Sequence, residues 1–321
     1  MFYDKEVQLI MYYFAILTSD YCKSAEMSMI SLFKYNDITL HIFVVDSGYK
    51  EVLEYYRDKP YRDHLDIINI YDEAHYTKIF SYPHNPFLFD SYSAHLTLWM
   101  FRILDYIPED VVYRIDLDIL YLNDISLLGK YDNTMVGITE TMNNRELIRK
   151  VVPNEHSTIF QINVGLCKMV KSKFNLSNSF EEEMIKRLDA DAINYLIPEQ
   201  DILNEITFDK YNYNDTIMVT NYNDVLDLDE SKDILGFHFN GTYAKPWKMY
   251  DVTRLHTNSF NYVASIQLCY EVTKHIDFFR STVLLNYKLT QNVYRNAKTP
   301  RQLKTIRIVS RMIERVKSWT S

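Results

Sequence analysis

The stretch Val111-Val112-Tyr113-Arg114-Ile115-Asp116-Leu117-Asp118-Ile119-Leu120-Tyr121-Leu122 is an apolar run with two carboxylates set into its middle. Its β-branched and aromatic residues read as a buried strand. In an extended chain residues two apart point to one side, which would place Asp116 and Asp118 together with about 7 Å between their α-carbons. Two like charges on one face of an apolar run repel and lose hydration, so they need a cation between them or one must take up a proton. A divalent metal is the simplest answer. The plainer alternative is a strand that ends near Ile115, with the acids in a turn.

Ahead of this run, Met11 to Leu17 reads as a strand and is followed by a polar turn, Thr18-Ser19-Asp20-Tyr21. A helix over Ala25 to Lys34, a strand over Thr39 to Val45, a helix over Glu51 to Tyr56 and a short strand over Asp66 to Ile70 come next. This alternation predicts an α/β fold with a largely parallel sheet covered by helices. Such sheets bind ligands beyond the carboxyl ends of their strands, where the Thr18 to Tyr21 turn falls. The glycine-rich dinucleotide fingerprint is missing there, which argues against a nicotinamide or flavin enzyme. Tyr21 offers either a flat ring for a base or a ring packed under a loop.

Residues Ser81 to Tyr92 read as a loop, and Ser93 to Leu104 as an amphipathic helix bearing Arg102, which taken alone is a surface charge. Beyond the central run lie a strand over Met135 to Thr139, a helix over Asn143 to Val151 and a strand over Ile159 to Val170. That last strand holds Asn163-Val164-Gly165, and glycine inside a strand commonly marks a close approach by a ligand or another backbone. Phe180 to Asp189 reads as helical, and Pro198-Glu199-Gln200-Asp201 opens a further helix with proline and acids in its first turn. Near residue 240, His238 follows an apolar strand and precedes Gly241 and Lys245-Pro246-Trp247. His238 is either a core histidine or a nitrogen ligand that joins the two aspartates around manganese or magnesium. A glycine and a lysine so placed can hold phosphate through backbone and ammonium.

With 321 residues, 47% hydrophobic and 24% charged, the chain is long enough for one large α/β domain with an appendage and too apolar for disorder. Its three cysteines, Cys22, Cys167 and Cys269, are odd in number and far apart, as expected of reduced thiols in a cytoplasmic protein. No signal peptide is apparent at the N-terminus, and no run approaches the length needed to cross a bilayer. The net charge is −8, yet residues 291 to 321 carry eight cations against Glu314, a net of +7, which leaves −15 on the rest. So acidic a body excludes general nucleic-acid binding.

Asp116-Leu117-Asp118, Asn163-Val164-Gly165, Glu199 to Asn204 and His238-Phe239-Asn240-Gly241 to Lys245-Pro246-Trp247 stand in an order that resembles family 8 of the retaining glycosyltransferases. Glycogenin and bacterial lipooligosaccharide galactosyl- and glucosyltransferases belong to that family. The resemblance runs from about Met11 to Trp247. It implies the A-type glycosyltransferase fold: a Rossmann-like, mostly parallel mixed sheet flanked by helices, here with a helical C-terminal extension. It also implies a UDP-glucose or UDP-galactose donor, a carbohydrate acceptor, and manganese (or magnesium) held by Asp116, Asp118 and His238. Thr18, Tyr21, Leu117, Gly241 and Lys245 would meet the nucleotide and its phosphates. Arg102, Asn163, Gly165, Glu199 and Gln200 would line the transferred sugar, with Gln200 and Glu199 at its reactive face. Because an amide is a poor nucleophile, retention is expected through same-face attack by the acceptor rather than through a covalent intermediate. The chain departs from the family pattern in two places. Seven positions rather than six separate His238 from Lys245, and the acidic or asparagine residue common near Thr18 is absent. A nucleotidyltransferase would share the sheet and the carboxylates but leave His238 and Lys245-Pro246-Trp247 unexplained; a non-catalytic sugar-nucleotide scaffold is the other alternative.

Residues 1–250 are expected to form the catalytic domain and 251–321 a helical region. In the latter, Lys304, Arg307, Arg311 and Arg315 recur on one helical face while Ile306, Val309, Met312, Ile313 and Val316 fall on another. A basic amphipathic helix of this kind suits an anionic membrane surface, at about 1 kcal/mol per cation, or packs its apolar face on the protein's own body.

Overall fold

The structure, a computed structural model, describes residues 11–83, 95–137, 162–195, 198–207, 209–212, 216–220, 233–239, 245–247 and 260–317. Its strands are β1 (Met11–Leu17), β2 (Leu40–Val44), β3 (Leu65–Asn69), β4 (Val111–Ile115), β5 (Ile119–Tyr121), β6 (Met135–Gly137), β7 (Leu166–Val170), β8 (Lys210–Asn212), β9 (Thr216–Thr220) and β10 (Asp233–His238). Its α-helices are α1 (Cys22–Tyr35), α2 (Tyr49–Tyr56), α3 (Glu73–Ser81), α4 (Trp99–Tyr106), α5 (Phe180–Asp191), α6 (Pro198–Ile206), α7 (Phe260–Thr273), α8 (Asp277–Arg295) and α9 (Pro300–Lys317).

A large sheet runs in the order β3-β2-β1-β4-β7-β6-β8, and a small one in the order β5-β10-β9. Strands β1 to β4 are mutually parallel, β7 is antiparallel to β4, and β6 reverses again. Helices cover both faces of the large sheet, which is why β1 and β4 read as nearly unbroken apolar runs instead of alternating ones. On one face Ala15, Leu17 and Tyr113 pack with Leu32 of α1 and Val52 of α2. On the other, Phe14, Phe43 and Val112 pack with Phe101 of α4 and Leu203 of α6.

The central run divides into two strands in two sheets. β4 ends at Ile115, and Asp116-Leu117-Asp118 form the turn that carries the chain to β5, which pairs antiparallel with β10. Both flanking segments are fully buried, so the apolar pattern continues through the turn and conceals it. The alternation argument for Asp116 and Asp118 therefore does not apply, and the turn at Ile115 is what is found. Asn163-Val164-Gly165 likewise lies in a turn ahead of β7 rather than inside a strand. The helix expected over Asn143 to Val151 lies outside the described residues.

A third core joins the C-terminal helices to the small sheet. Ile308, Val309, Met312 and Val316 of α9 are buried with Leu268 of α7, Phe279 and Val283 of α8, Leu120 of β5 and Phe237 of β10. The apolar face of α9 thus covers the protein's own body, with Ile306 and Ile313 at its margin. Among the described residues no helix is long and apolar enough to cross a membrane.

Candidate active site

The site forms where the carboxyl ends of the parallel strands meet the start of the small sheet. Asp116 is fixed through its backbone: its N–H donates to Gly165 O at 2.6 Å, and the Tyr121 hydroxyl donates to its carbonyl at 3.0 Å. β10, held antiparallel to β5, ends at His238 and so delivers the imidazole to the turn. Ligand atoms of Asp116, Asp118 and His238 all lie within 4.8 Å of one another. His238 Nε2 is 3.0 Å from Asp118 Oδ1 and 3.8 Å from Asp116 Oδ2. Two carboxylates and one imidazole are a donor set that fits manganese or magnesium. Gly165 lines the same space. A β-carbon there would overlap Asp116 Oδ2, lie 2.8 Å from Asn163 Oδ1 and lie 3.0 Å from His238 Cε1. The close approach read from its glycine is real, although its strand is not.

Lys245 completes the cluster, its ammonium donating to Asp118 Oδ2 at 2.8 Å and to the Tyr21 hydroxyl at 2.6 Å. Burial works against the ionised form of Asp118, but Lys245 and His238 outweigh it and hold the carboxyl well below the usual carboxylate range. Burial likewise opposes the Lys245 charge, and Asp118 and Tyr21 more than offset it. The Tyr21 phenol is pushed up to about 12 by burial against the pull of Lys245, so it stays neutral. The position of Lys245 is set from behind: Asn286 Nδ2 on α8 donates to Pro246 O at 2.8 Å, and Trp247 packs edge-on between Phe239 and Phe279. Gly241 lies outside the described residues.

On the nucleotide side, Thr18 is buried and its hydroxyl donates to Asp20 Oδ1 at 2.6 Å. The N–H and hydroxyl of Ser19 both donate to Asp46 Oδ2 at 2.7 Å, tying the turn after β1 to the loop after β2. Leu117 points its side chain into the first core. On the sugar side, Asn204 clamps α6 to the glycine turn: its amide donates to Ile162 O and Gln200 O at 2.9 Å, and its Oδ1 accepts from Ile162 N at 2.9 Å. Glu199 and Gln200 are thereby held, both buried, at the amino end of α6.

Arg102 is not brought to this cluster; its guanidinium lies 3.9 Å from Asp72 and 4.0 Å from Glu181, over the Trp99 ring. Three residues that the sequence reading did not assign stand in the site instead. They are Asp46, Thr97, which hydrogen-bonds Glu199, and Arg114, which donates from Nη2 to Asp116 Oδ1 at 3.1 Å. The one signal for them in the sequence is a charged Arg114 within an otherwise apolar strand.

Burial pushes Glu199 from the ordinary 4.5 up to about 7, with Arg114 and Thr97 pulling the other way. A carboxyl whose folded value exceeds its unfolded value binds more protons when folded, so its contribution to stability is full below the unfolded value. That contribution is lost as pH rises to the folded value. In a chelator-containing buffer, urea unfolding should lose about 3 kcal/mol from this group between roughly pH 4.5 and 7. Glu199→Gln should flatten that stretch of the profile; an unchanged slope would remove Glu199 as its source.

No family model and no curated protein matches this sequence. Solved structures do match in fold. The galactosyltransferase LgtC, in complex with donor and acceptor sugar analogues, aligns with a TM-score of 0.60 at 13% identity, covering 92% of this chain and 100% of that one. The bifunctional glycosyltransferase WbbM aligns with a TM-score of 0.54 at 13% identity, covering 88% and 52%. The glycosyltransferase GlyE of Streptococcus pneumoniae TIGR4 aligns with a TM-score of 0.51 at 17% identity, covering 88% and 64%. The fold of this chain is the A-type glycosyltransferase fold, as the resemblance implied.

Proposed function

We propose that this protein is a retaining, manganese-dependent glycosyltransferase that moves glucose or galactose from a UDP-sugar to a carbohydrate acceptor. The observation that carries the reading is the convergence of Asp116, Asp118 and His238 beside Lys245 and Tyr21 at the ligand-binding end of this fold. Bound divalent metal supplies Lewis-acid charge at the donor diphosphate. The protein's own residues do the rest. Lys245 offers its ammonium to the departing diphosphate, Tyr21 its ring to the uracil, and the turn Thr18 to Tyr21 the backbone for the ribose. Such preorganised charges act where negative charge develops as the glycosidic bond breaks. Asn163, Gly165, Glu199 and Gln200 line the sugar. The residue that the family resemblance assigns to its reactive face is an amide, Gln200, so the acceptor hydroxyl attacks from the side of the leaving group, whose phosphate takes the proton. Gln200→Ala should therefore slow transfer about a hundredfold with no covalent sugar on the protein; a glycosyl-protein adduct in the mass spectrum would contradict this.

Residues 1–250 form the catalytic unit in this reading, and 251–321 brace it from behind. The acceptor is a glycan, lipid-linked or envelope saccharide at the cytoplasmic face of a membrane. Arg307, Arg311 and Arg315 are exposed on α9, and Leu285, Leu289 and Val293 are exposed one turn apart on α8. Both features support contact with an anionic lipid surface that does not use the buried face of α9. Full-length protein should float with anionic vesicles at low salt and be released at high salt. Failure to float at low salt would refute the membrane contact alone.

The reaction itself is tested by incubation with manganese and UDP-glucose or UDP-galactose. Slow release of UDP, stopped by a chelator, is the expected result. Tight nucleotide binding without turnover in the presence of varied acceptors would favour a scaffold, and release of pyrophosphate from UTP and a sugar phosphate a nucleotidyltransferase.

A further inference from the structure

Arg114 sits on β4 two residues before the first aspartate, is 2% exposed, and shares its face of the sheet with Val112 under α6. Nη2 reaches Asp116 Oδ1 at 3.1 Å, while Nη1 is buried without a partner among the described residues. Glu199 of α6 is also buried, its Oε2 likewise without a partner among the described residues, and the charges of the two side chains act on one another. A buried donor and a buried acceptor left open in one charged cluster are costly unless a ligand completes them. The guanidinium is planar and presents its donors as a fork, so one edge can hold a carboxylate while the other meets a second acceptor. Hydroxyl groups of a sugar ring both accept and donate, and fit such a pair.

We propose that Arg114, rather than Arg102, is the guanidinium that meets the transferred sugar: Nη2 holds Asp116 and Nη1 donates to a ring hydroxyl that in turn donates to Glu199. The inference rests on the donor being a nucleotide sugar, as proposed above. A lone cation beneath the sugar would oppose the positive charge that builds there as the bond breaks. Here Asp116 pairs with the guanidinium at 3.1 Å and offsets its charge. Arg102, by contrast, lies 3.9 Å from Asp72 and 4.0 Å from Glu181.

The test is calorimetric, on the full chain in manganese, with UDP and with UDP-galactose and UDP-glucose as separate ligands. Arg114→Lys and Arg114→Met should bind UDP within about threefold of the parent protein. Each should bind the parent's preferred UDP-sugar tenfold or more weakly, since methionine has no donor and the shorter lysine lacks the planar fork whose two edges reach Asp116 and a hydroxyl together. The readout is the ratio of the two dissociation constants, which a purely structural role would not move. An unchanged ratio, whether both ligands are weakened equally or neither is, overturns the inference and makes Arg114 a counter-ion of Asp116 alone. Thermal melting identifies a variant that fails to fold, and the other variant then decides. If the parent protein binds neither UDP nor a UDP-sugar, the proposed function fails and takes this inference with it. Parent binding with an unchanged ratio sinks this inference by itself.

Discussion

Asp116→Asn and Asp118→Asn should each lower turnover about a thousandfold while leaving the fold intact. Asp118 is buried between His238 and Lys245, and contact with those two side chains is what holds it ionised. An amide at either position removes one ligand charge from a cluster whose atoms lie within 4.8 Å of one another. Loss of transition-state stabilisation of about 4 kcal/mol is the size expected when such a charge goes. The fold should survive because the turn is held by backbone bonds to Gly165 and Tyr121, which the substitution does not touch. Initial-rate measurement of UDP release, with circular dichroism as the control for folding, checks it. Either variant retaining ordinary turnover would show that the carboxylates serve only the turn.

Removal of residues 300–321 should leave a protein that does not fold stably. The tail's regular spacing of cations invites the view that it is a detachable membrane anchor whose loss spares donor hydrolysis. The packing points elsewhere. Ile308, Val309, Met312 and Val316 are buried in the core shared by α7, α8 and the small sheet, and Arg315 lies over the Tyr35 ring at the end of α1. Burying four such side chains stabilises by about 6–12 kcal/mol, which is the size of a whole domain's net stability. The same core seats Trp247 beside Lys245, so even a partly folded remnant would lose the lysine's position. Thermal melting and soluble yield of the truncated chain decide this; a truncated protein that melts within a few degrees of the full chain would show that α9 is an appendage after all.

The difference between those two views of α9 shows where sequence reading stops. The apolar spacing of Val309, Met312 and Val316 was legible, because a buried helical face must repeat every three or four residues. What covers that face was not, because lipid and protein ask for the same pattern. The strands from β1 to β3 and helices α1, α2, α5 and α6 were legible for the same reason, to within a few residues at their ends. Asp116 and Asp118 were legible as a pair that converges on one candidate metal site, yet for a mistaken reason: their flanking segments are apolar on both sides of the turn, so nothing in the pattern marks where β4 stops. Arg114 went unassigned because spacing along the chain cannot say that a buried strand turns its guanidinium toward Asp116 while a helix holds Arg102 near Asp72. Asp46 and Thr97 were invisible, since their partners Ser19 and Glu199 are 27 and 102 positions away.

The central claim is that the turn between β4 and β5, with His238 at the end of β10, is a divalent-metal site that serves a nucleotide diphosphate. Electron paramagnetic resonance of free manganese, titrated against the protein with and without UDP, tests this most directly because it needs neither donor sugar nor acceptor. One manganese ion per chain, bound at least tenfold more tightly with UDP and released in His238→Ala, is the predicted result. Manganese that stays free in the presence of protein and UDP, or that binds equally well to His238→Ala, would contradict it.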